Sequence, residues 1–269
     1  MLVDAKLGRV LIAAGSDSGG GAGIQADIKT VTALGGFAMT AITALTAQNT
    51  TGVYGVIPVE TDFIAQQIHV VLDDLGVDYL KTGMMHSAEV IETLMEVLED
   101  VEPNLPVVVD PVMFAKGGHA LLEEKAIDVL RGQLVPRAEV VTPNVPEAEV
   151  LAGTSISGIE DMKRAGEAIV ALGAEAALIK GGHLSGDVLT DVLITRDGIE
   201  LFQDLRIDTK NTHGTGCTLA SAIATGLANG LALPEAVARG RKYVRAAILA
   251  APGFGSGHGP MDHGHPLRP

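Results

Sequence analysis

The chain has 269 residues, 47% of them hydrophobic, with 33 glycines and a formal charge of −14. That length allows one or two domains and a sizeable core, which the low aromatic share (3%, no Trp) leaves to Ala, Val, Leu and Ile. The acidic balance argues against nucleic acid or an anionic membrane as main partner, though not against a small anion held by a few oriented donors. The single cysteine, Cys217, permits no internal disulfide and fits a reducing cytoplasm.

In chain order, "RVLIAAG" (9–15) reads as a buried strand. Its run "VLIAA" is too short for a signal peptide. Apolar residues at helical spacing follow in 22–35, and "FAMTAITALTAQ" (37–48) reads as a second strand. Helical patterns at 61–76, 87–100 and 156–173 then alternate with short apolar runs at 78–83, 106–112, 138–144 and 175–182. Residues 190–208 read as a hairpin turning at Asp197-Gly198. Two stretches lack charge, 31–59 and 214–233. The second has about the length of a membrane span, but its Gly, Ala, Thr and Asn and its opening turn favour a buried helix. The alternation predicts an α/β fold, a mostly parallel central sheet with helices on both faces. No linker, repeat or low-complexity block interrupts it, so one domain over 1–269 is expected.

In such sheets ligands bind beyond the carboxyl ends of the strands. Glycine and polar clusters recur there: "GSDSGGGAG", "AQNTTG", "KTGMM", "DPVMFAKGG", "TPNVPEAE", "KGGH" and "NTHGTGC". "GAGIQA" (21–26) fits a dinucleotide fingerprint, but no acid occurs in 31–59 to hold a ribose, and no Walker-type loop exists in the chain. "HGTGC" is the better phosphate site. Gly214, Thr215, Gly216 and Cys217 precede an apolar helix, so their amides can converge on one group of oxygens with the helix dipole behind them. Lys180 ends a strand, where it can neutralise a polyphosphate. Asp110 and Glu147, from separate strand ends, can hold Mg²⁺ through water, and Asn144 stands beside Glu147 in sequence.

Together these motifs, running from about Val10 to the tail "GHGPMDH", resemble the bacterial hydroxymethylpyrimidine and phosphohydroxymethylpyrimidine kinases of the ribokinase-like superfamily. The resemblance implies a three-layer α/β sandwich. It implies an enzyme of thiamine biosynthesis that uses ATP and Mg²⁺ to phosphorylate the hydroxymethyl group of 4-amino-5-hydroxymethyl-2-methylpyrimidine, then the monophosphate to the diphosphate. By motif, Gln48 pairs with the amino and nitrogen edge of the ring, as a carboxamide can. Asp27 and the backbone near Gly15 flank the ring, and Met84 and Val112 form apolar walls. Asn144 and Lys180 match nucleotide and phosphate contacts, Asp110 and Glu147 handle Mg²⁺, and "FAKGG" (114–118) matches a mobile flap. A cytoplasmic homodimer is implied as well. The nearest alternative is pyridoxal kinase activity, which phosphorylates a hydroxymethyl group on a pyridine; sugar kinases and a non-catalytic nucleotide-binding regulator are further alternatives.

Cys217 stands where many sugar kinases of this superfamily carry Asp. Its place at a helix N-terminus predicts a thiol pKa lowered towards neutrality and a part in deprotonating the acceptor. A thiol also leaves room for an acceptor already carrying phosphate, which a carboxylate repels. The tail "GSGHGPMDHGHP" (256–266) concentrates three histidines, and the expectation is a solvated or substrate-edge tail, not a metal site.

Overall fold

The computed structural model describes residues 7–114, 118 and 120–268. Residues 1–6, part of the stretch read as too short for a signal peptide, lie outside them. The first half runs β1 (Arg9–Ala14), α1 (Gly23–Ala33), β2 (Phe37–Ile42), β3 (Ala44–Asn49), β4 (Gly52–Pro58), α2 (Thr61–Asp74), β5 (Tyr79–Thr82), α3 (Ala88–Val101) and β6 (Val107–Val109). After α4 (Glu124–Val129) come β7 (Val140–Val141), α5 (Val145–Ala152), α6 (Ile159–Ala171), β8 (Ala176–Ile179), β9 (Val188–Thr195), β10 (Gly198–Leu205), α7 (Thr215–Ala228) and α8 (Leu233–Leu249).

Eight strands form one sheet in the order β10-β9-β8-β7-β6-β5-β1-β2. The strands from β2 to β8 pair in parallel, and only β9 and β10 add antiparallel edges. Because side chains alternate across a strand, Leu11 and Ala13 face one layer while Val10, Ile12 and Ala14 face the other. The first layer is closed by Ile64 and Ile68 of α2, Leu94 and Leu98 of α3, Leu151 of α5 and Ile169 of α6. The second is closed by Val31 of α1, Ile223 and Leu227 of α7 and Val237 of α8. Both faces of the central strands β1 and β5–β8 are therefore dry, which is why they read as unbroken apolar runs. In the charge-free segment 214–233, α7 is buried along most of its length, as expected. Among the described residues no helix is long and apolar enough to cross a membrane.

Two local readings are corrected. The run 37–48 is two strands: β2 stays in the main sheet, while β3 turns away and pairs with β4 as a separate two-stranded sheet. Buried Thr43 makes the break, its N–H donating to Ala14 O and its hydroxyl to Met84 O. The β9–β10 hairpin pairs Thr195 with Gly198, so Arg196 and Asp197 form the turn, one residue earlier than read.

Candidate active site

A cavity of about 640 Å³ opens at the carboxyl ends of the parallel strands. Of the sequence-predicted site residues, Gly15, Gln48, Met84, Asp110, Val112, Asn144, Glu147, Lys180 and Gly214 through Cys217 all line it; Asp27 does not. Each strand end supplies one piece, because a parallel sheet brings all its carboxyl ends to one edge.

The phosphoryl end is built around α7. Gly214, its N-cap, has φ 80°, the left-handed region, and a side chain there would overlap the Gly21 carbonyl. Glycine thus lets the first turn of α7 pack directly on the loop after β1. The amides of Gly216 and Cys217 fall among the first N–H groups of a helix, which have no acceptor within it. Lys180 and Asp110 reach the same turn: a Cβ added to Gly216 would stand 3.1 Å from Lys180 Nζ and 3.6 Å from Asp110 Oδ2. Lys180 Nζ donates to Asp110 Oδ1 at 3.1 Å. Burial works against the ammonium, but Asp110 and Glu147 hold its pKa above the usual lysine value.

Glu147 and Asn144 do two things at once. Asn144 caps α5, its Oδ1 accepting from Glu147 N at 3.0 Å while Glu147 Oε2 accepts from Asn144 N at 2.8 Å. Burial, with Asp110 as a lesser cause, pushes the Glu147 carboxyl up to about 7. Asp110 Oδ2 is buried with no hydrogen-bond partner among the described residues. That orphaned oxygen, beside a second buried carboxyl, is a donor set suited to Mg²⁺. Among the described residues no cluster of three metal-ligating side chains occurs, so phosphate oxygens and water would have to complete the shell.

At the ring end, Gly15 and Met84 pack together, with a Cβ on Gly15 lying 2.9 Å from Met84 Sδ. Gln48 is pinned through its backbone: Ser18 Oγ donates to Gln48 O at 2.9 Å and accepts from Gln48 N at 2.8 Å. Residues 115–117 of the segment read as a flap lie outside the described residues.

Asp27 is the first correction. It is buried in α1, where both of its oxygens accept from Lys81 Nζ at 2.9 Å and Oδ1 accepts from Ser221 Oγ at 2.6 Å. Its carboxylate neutralises Lys81 beneath the cavity and is not a wall for the ring. Cys217 is the second. Burial pushes its thiol up to about 12, against the lowering influence of Lys81 and of an N–H donated by Gly23. Desolvation outweighs both, so the thiol is protonated at neutral pH.

Three residues that line the cavity or support it were not singled out. Lys81 is wholly buried on β5 and lines the floor; a lysine inside the apolar run "YLKTG" was itself a signal that a buried acid must exist. Asp17 organises the glycine loop, accepting from the N–H groups of Gly19, Gly21 and Ala22 at 2.8–3.0 Å. His213 Nε2 meets Asp17 Oδ2 at 2.8 Å, joining that loop to the phosphoryl turn. Burial alone would raise the Asp17 carboxyl, but His213 and these amides hold it below the usual range.

The phosphomethylpyrimidine kinase family model matches residues 17–262. The chain is 52% identical over 256 residues to the thiamine biosynthesis bifunctional protein of Geobacter sulfurreducens, covering 95% of this chain and 52% of that longer protein. It is 48% identical over 258 residues to the hydroxymethylpyrimidine/phosphomethylpyrimidine kinase of Streptomyces coelicolor, with 96% and 95% covered. Among solved structures, an ADP complex of Bacillus subtilis pyridoxal kinase superposes with a TM-score of 0.89 at 37% identity, over 96% of this chain and 98% of that one. The three-layer sheet is thus a ribokinase-like fold, and the chain belongs to the phosphomethylpyrimidine kinase family of phosphotransferases.

Proposed function

We propose that this protein, within a single domain, transfers the γ-phosphoryl group of ATP to the hydroxymethyl group of 4-amino-5-hydroxymethyl-2-methylpyrimidine, and then phosphorylates the monophosphate to the diphosphate for thiamine synthesis. The observation that carries this reading is the convergence of the Gly214–Cys217 turn with Lys180 and Asp110 in the same cavity as Gln48, Gly15 and Met84. ATP lies with its base among Leu189, Ile207, Val244 and Ile248, apolar residues of the cavity wall. Its polyphosphate runs past Asn144 and Lys180 to the turn. The amides of Gly216 and Cys217 then face the charge that grows on the equatorial oxygens during transfer.

Asp110 would hold Mg²⁺, with Glu147 reaching it through water because its carboxylate already caps α5. The ion would supply positive charge that screens the polyphosphate. The acceptor ring lies between Gly15, Met84 and Val112, with Gln48 reading its amino and nitrogen edge and the hydroxymethyl group aimed at the turn. A protonated Cys217 is a hydrogen-bond partner for that hydroxyl. A loose transition state places little demand on a base, so positioning and electrostatics carry the rate.

The test is product analysis by mass spectrometry with ATP and Mg²⁺, offering hydroxymethylpyrimidine, its monophosphate and pyridoxal in parallel. The expected result is diphosphate from both pyrimidines. The likeness to a pyridoxal kinase makes vitamin B6 phosphorylation the second reading. Turnover of pyridoxal alone would establish it and withdraw the roles of Gln48 and Met84. A cytosolic homodimer completes the proposal, supported by the charge-free β3–β4 hairpin, which leaves Leu45, Tyr54 and Ile57 exposed. Light scattering is expected to give twice the monomer mass, and a monomer would refute it.

A further inference from the structure

The tail after α8 was expected to be solvated or to edge the substrate. Instead it threads through close contacts at both ends of the site, and none of its described residues from Phe254 onward lines the cavity. It begins at the β3–β4 turn, where His258 N donates to Thr50 O at 2.9 Å and Gly257 N to Thr50 Oγ1 at 3.4 Å. Thr50 lies two residues from Gln48. The tail then passes the phosphoryl turn, where Gly259 O accepts from His213 N at 3.1 Å and Pro260 bridges His213. It ends behind α7, with buried His263 Nε2 2.9 Å from Thr218 Oγ1. Thr218 Oγ1 in turn donates to Gly214 O at 2.8 Å. That donation uses the one hydroxyl hydrogen, so His263 Nε2–H is the donor to Thr218.

The glycines show that this path is tight. A side chain at Gly255 or Gly257 would overlap Thr50, and one at Gly259 would overlap the Asn211 carboxamide. Three glycines at alternate positions, each closed by a different atom, are more than a loose covering needs. Two further bonds fix the far end: Tyr243 OH donates to His263 O at 2.7 Å, and Asp262 N to Ala247 O at 3.0 Å.

We propose that residues 255–263 form a strap that positions the ring-reading hairpin and the phosphoryl turn relative to each other, with His263 the positioning residue for the turn through Thr218 and Gly214. Gly257 serves the hairpin and, through it, Gln48. The assignment of these two ends to acceptor and phosphoryl rests on the function proposed above. The strap touches neither substrate, so its effect reaches them only through geometry, to which transfer rates are steep.

The test compares His263→Ala, His263→Gln and Gly257→Ala with wild type by amide hydrogen exchange and by kinetics. Glutamine replaces the lost donor; alanine does not. Exchange at the Thr218 amide, which donates to Gly214 O at 2.9 Å, is expected to quicken about tenfold in His263→Ala and to return to the wild-type rate in His263→Gln, the scale of one lost hydrogen bond. His263→Ala should lower kcat by up to about 10²-fold with acceptor KM nearly unchanged. Gly257→Ala should do the reverse, raising acceptor KM about tenfold with kcat nearly unchanged, as expected for loss of one ring contact. Wild-type exchange in His263→Ala, or the same kinetic change from both ends of the strap, would overturn the proposal. If His263→Ala does not fold, Thr218→Val, which removes the hydroxyl that His263 reaches, takes its place against Gly257→Ala in the kinetic split. If wild type turns over no pyrimidine, the functional reading fails while the exchange measurement still decides the strap.

Discussion

Lys81→Met is expected to cost the fold about 3–5 kcal/mol, and the double change Asp27→Asn/Lys81→Met to recover much of that loss. Lys81 and Asp27 are both fully buried, and among the described residues theirs is the one ion pair in the layer between β5, α1 and α7. Removing the ammonium leaves a carboxylate in an apolar layer with only the Ser221 hydroxyl to hold it. Burial already pushes the Asp27 carboxyl up, and Lys81 is the main opposing influence. In Lys81→Met the native state therefore binds a proton that the unfolded chain releases near its ordinary value, about 3.9. With more protons bound when folded, stability falls as pH rises above that value. Urea denaturation of the single variant should show a smaller deficit relative to wild type at pH 5 than at pH 8, while the double variant shows the same deficit at both. Equal losses in single and double variants, independent of pH, would mean that the pair is replaceable packing.

The frame was legible because both faces of the sheet are covered: six short apolar runs separated by amphipathic helices admit few other architectures. Strand-end glycines and polar residues marked the cavity for the same reason, since a parallel sheet gathers those ends at one edge. What could not be read depends on partners distant in sequence. Nothing in 37–48 marks a break, because Thr43 is held by the carbonyls of Ala14 and Met84. The stretch 31–59 carries no charged residue to mark a surface hairpin, yet Tyr54 is 71% exposed on one that leaves the sheet. Asp27 was given to the ring on the family resemblance, through the motif "IQAD". Its actual partner is Lys81, 54 residues away, and the rotation of α1 that aims it there is set by packing on β1 and α7. His263 shows the same limit, since a tail of glycine and histidine reads as solvated until Thr218 is seen beside it.

Cys217→Asp is expected to separate the two phosphorylation steps, leaving transfer to hydroxymethylpyrimidine within about tenfold of wild type while slowing transfer to its monophosphate by about 10²-fold or more, since juxtaposed like charges cost several kcal/mol. The reason lies in what sulfur omits. The thiol is pushed up to about 12 by burial, so at pH 7–9 it is neutral and presents no charge to an acceptor that is already anionic. A carboxylate at the same point faces that acceptor with Asp110 also near the turn, and the repulsion falls on the second step alone. Cys217→Ala removes only a neutral hydrogen-bond partner, and should slow both steps about tenfold without selecting between them. The pH profile distinguishes this from thiolate catalysis. If the thiolate were the base, kcat would climb tenfold per pH unit towards about 12, and Cys217→Ala would lose about 10²–10⁴-fold. A wild-type profile without that climb between pH 7 and 9, together with a step-selective Cys217→Asp, means that cysteine is used here for its neutrality. A steep profile, or an Asp variant that slows both steps alike, means that it is used for its proton.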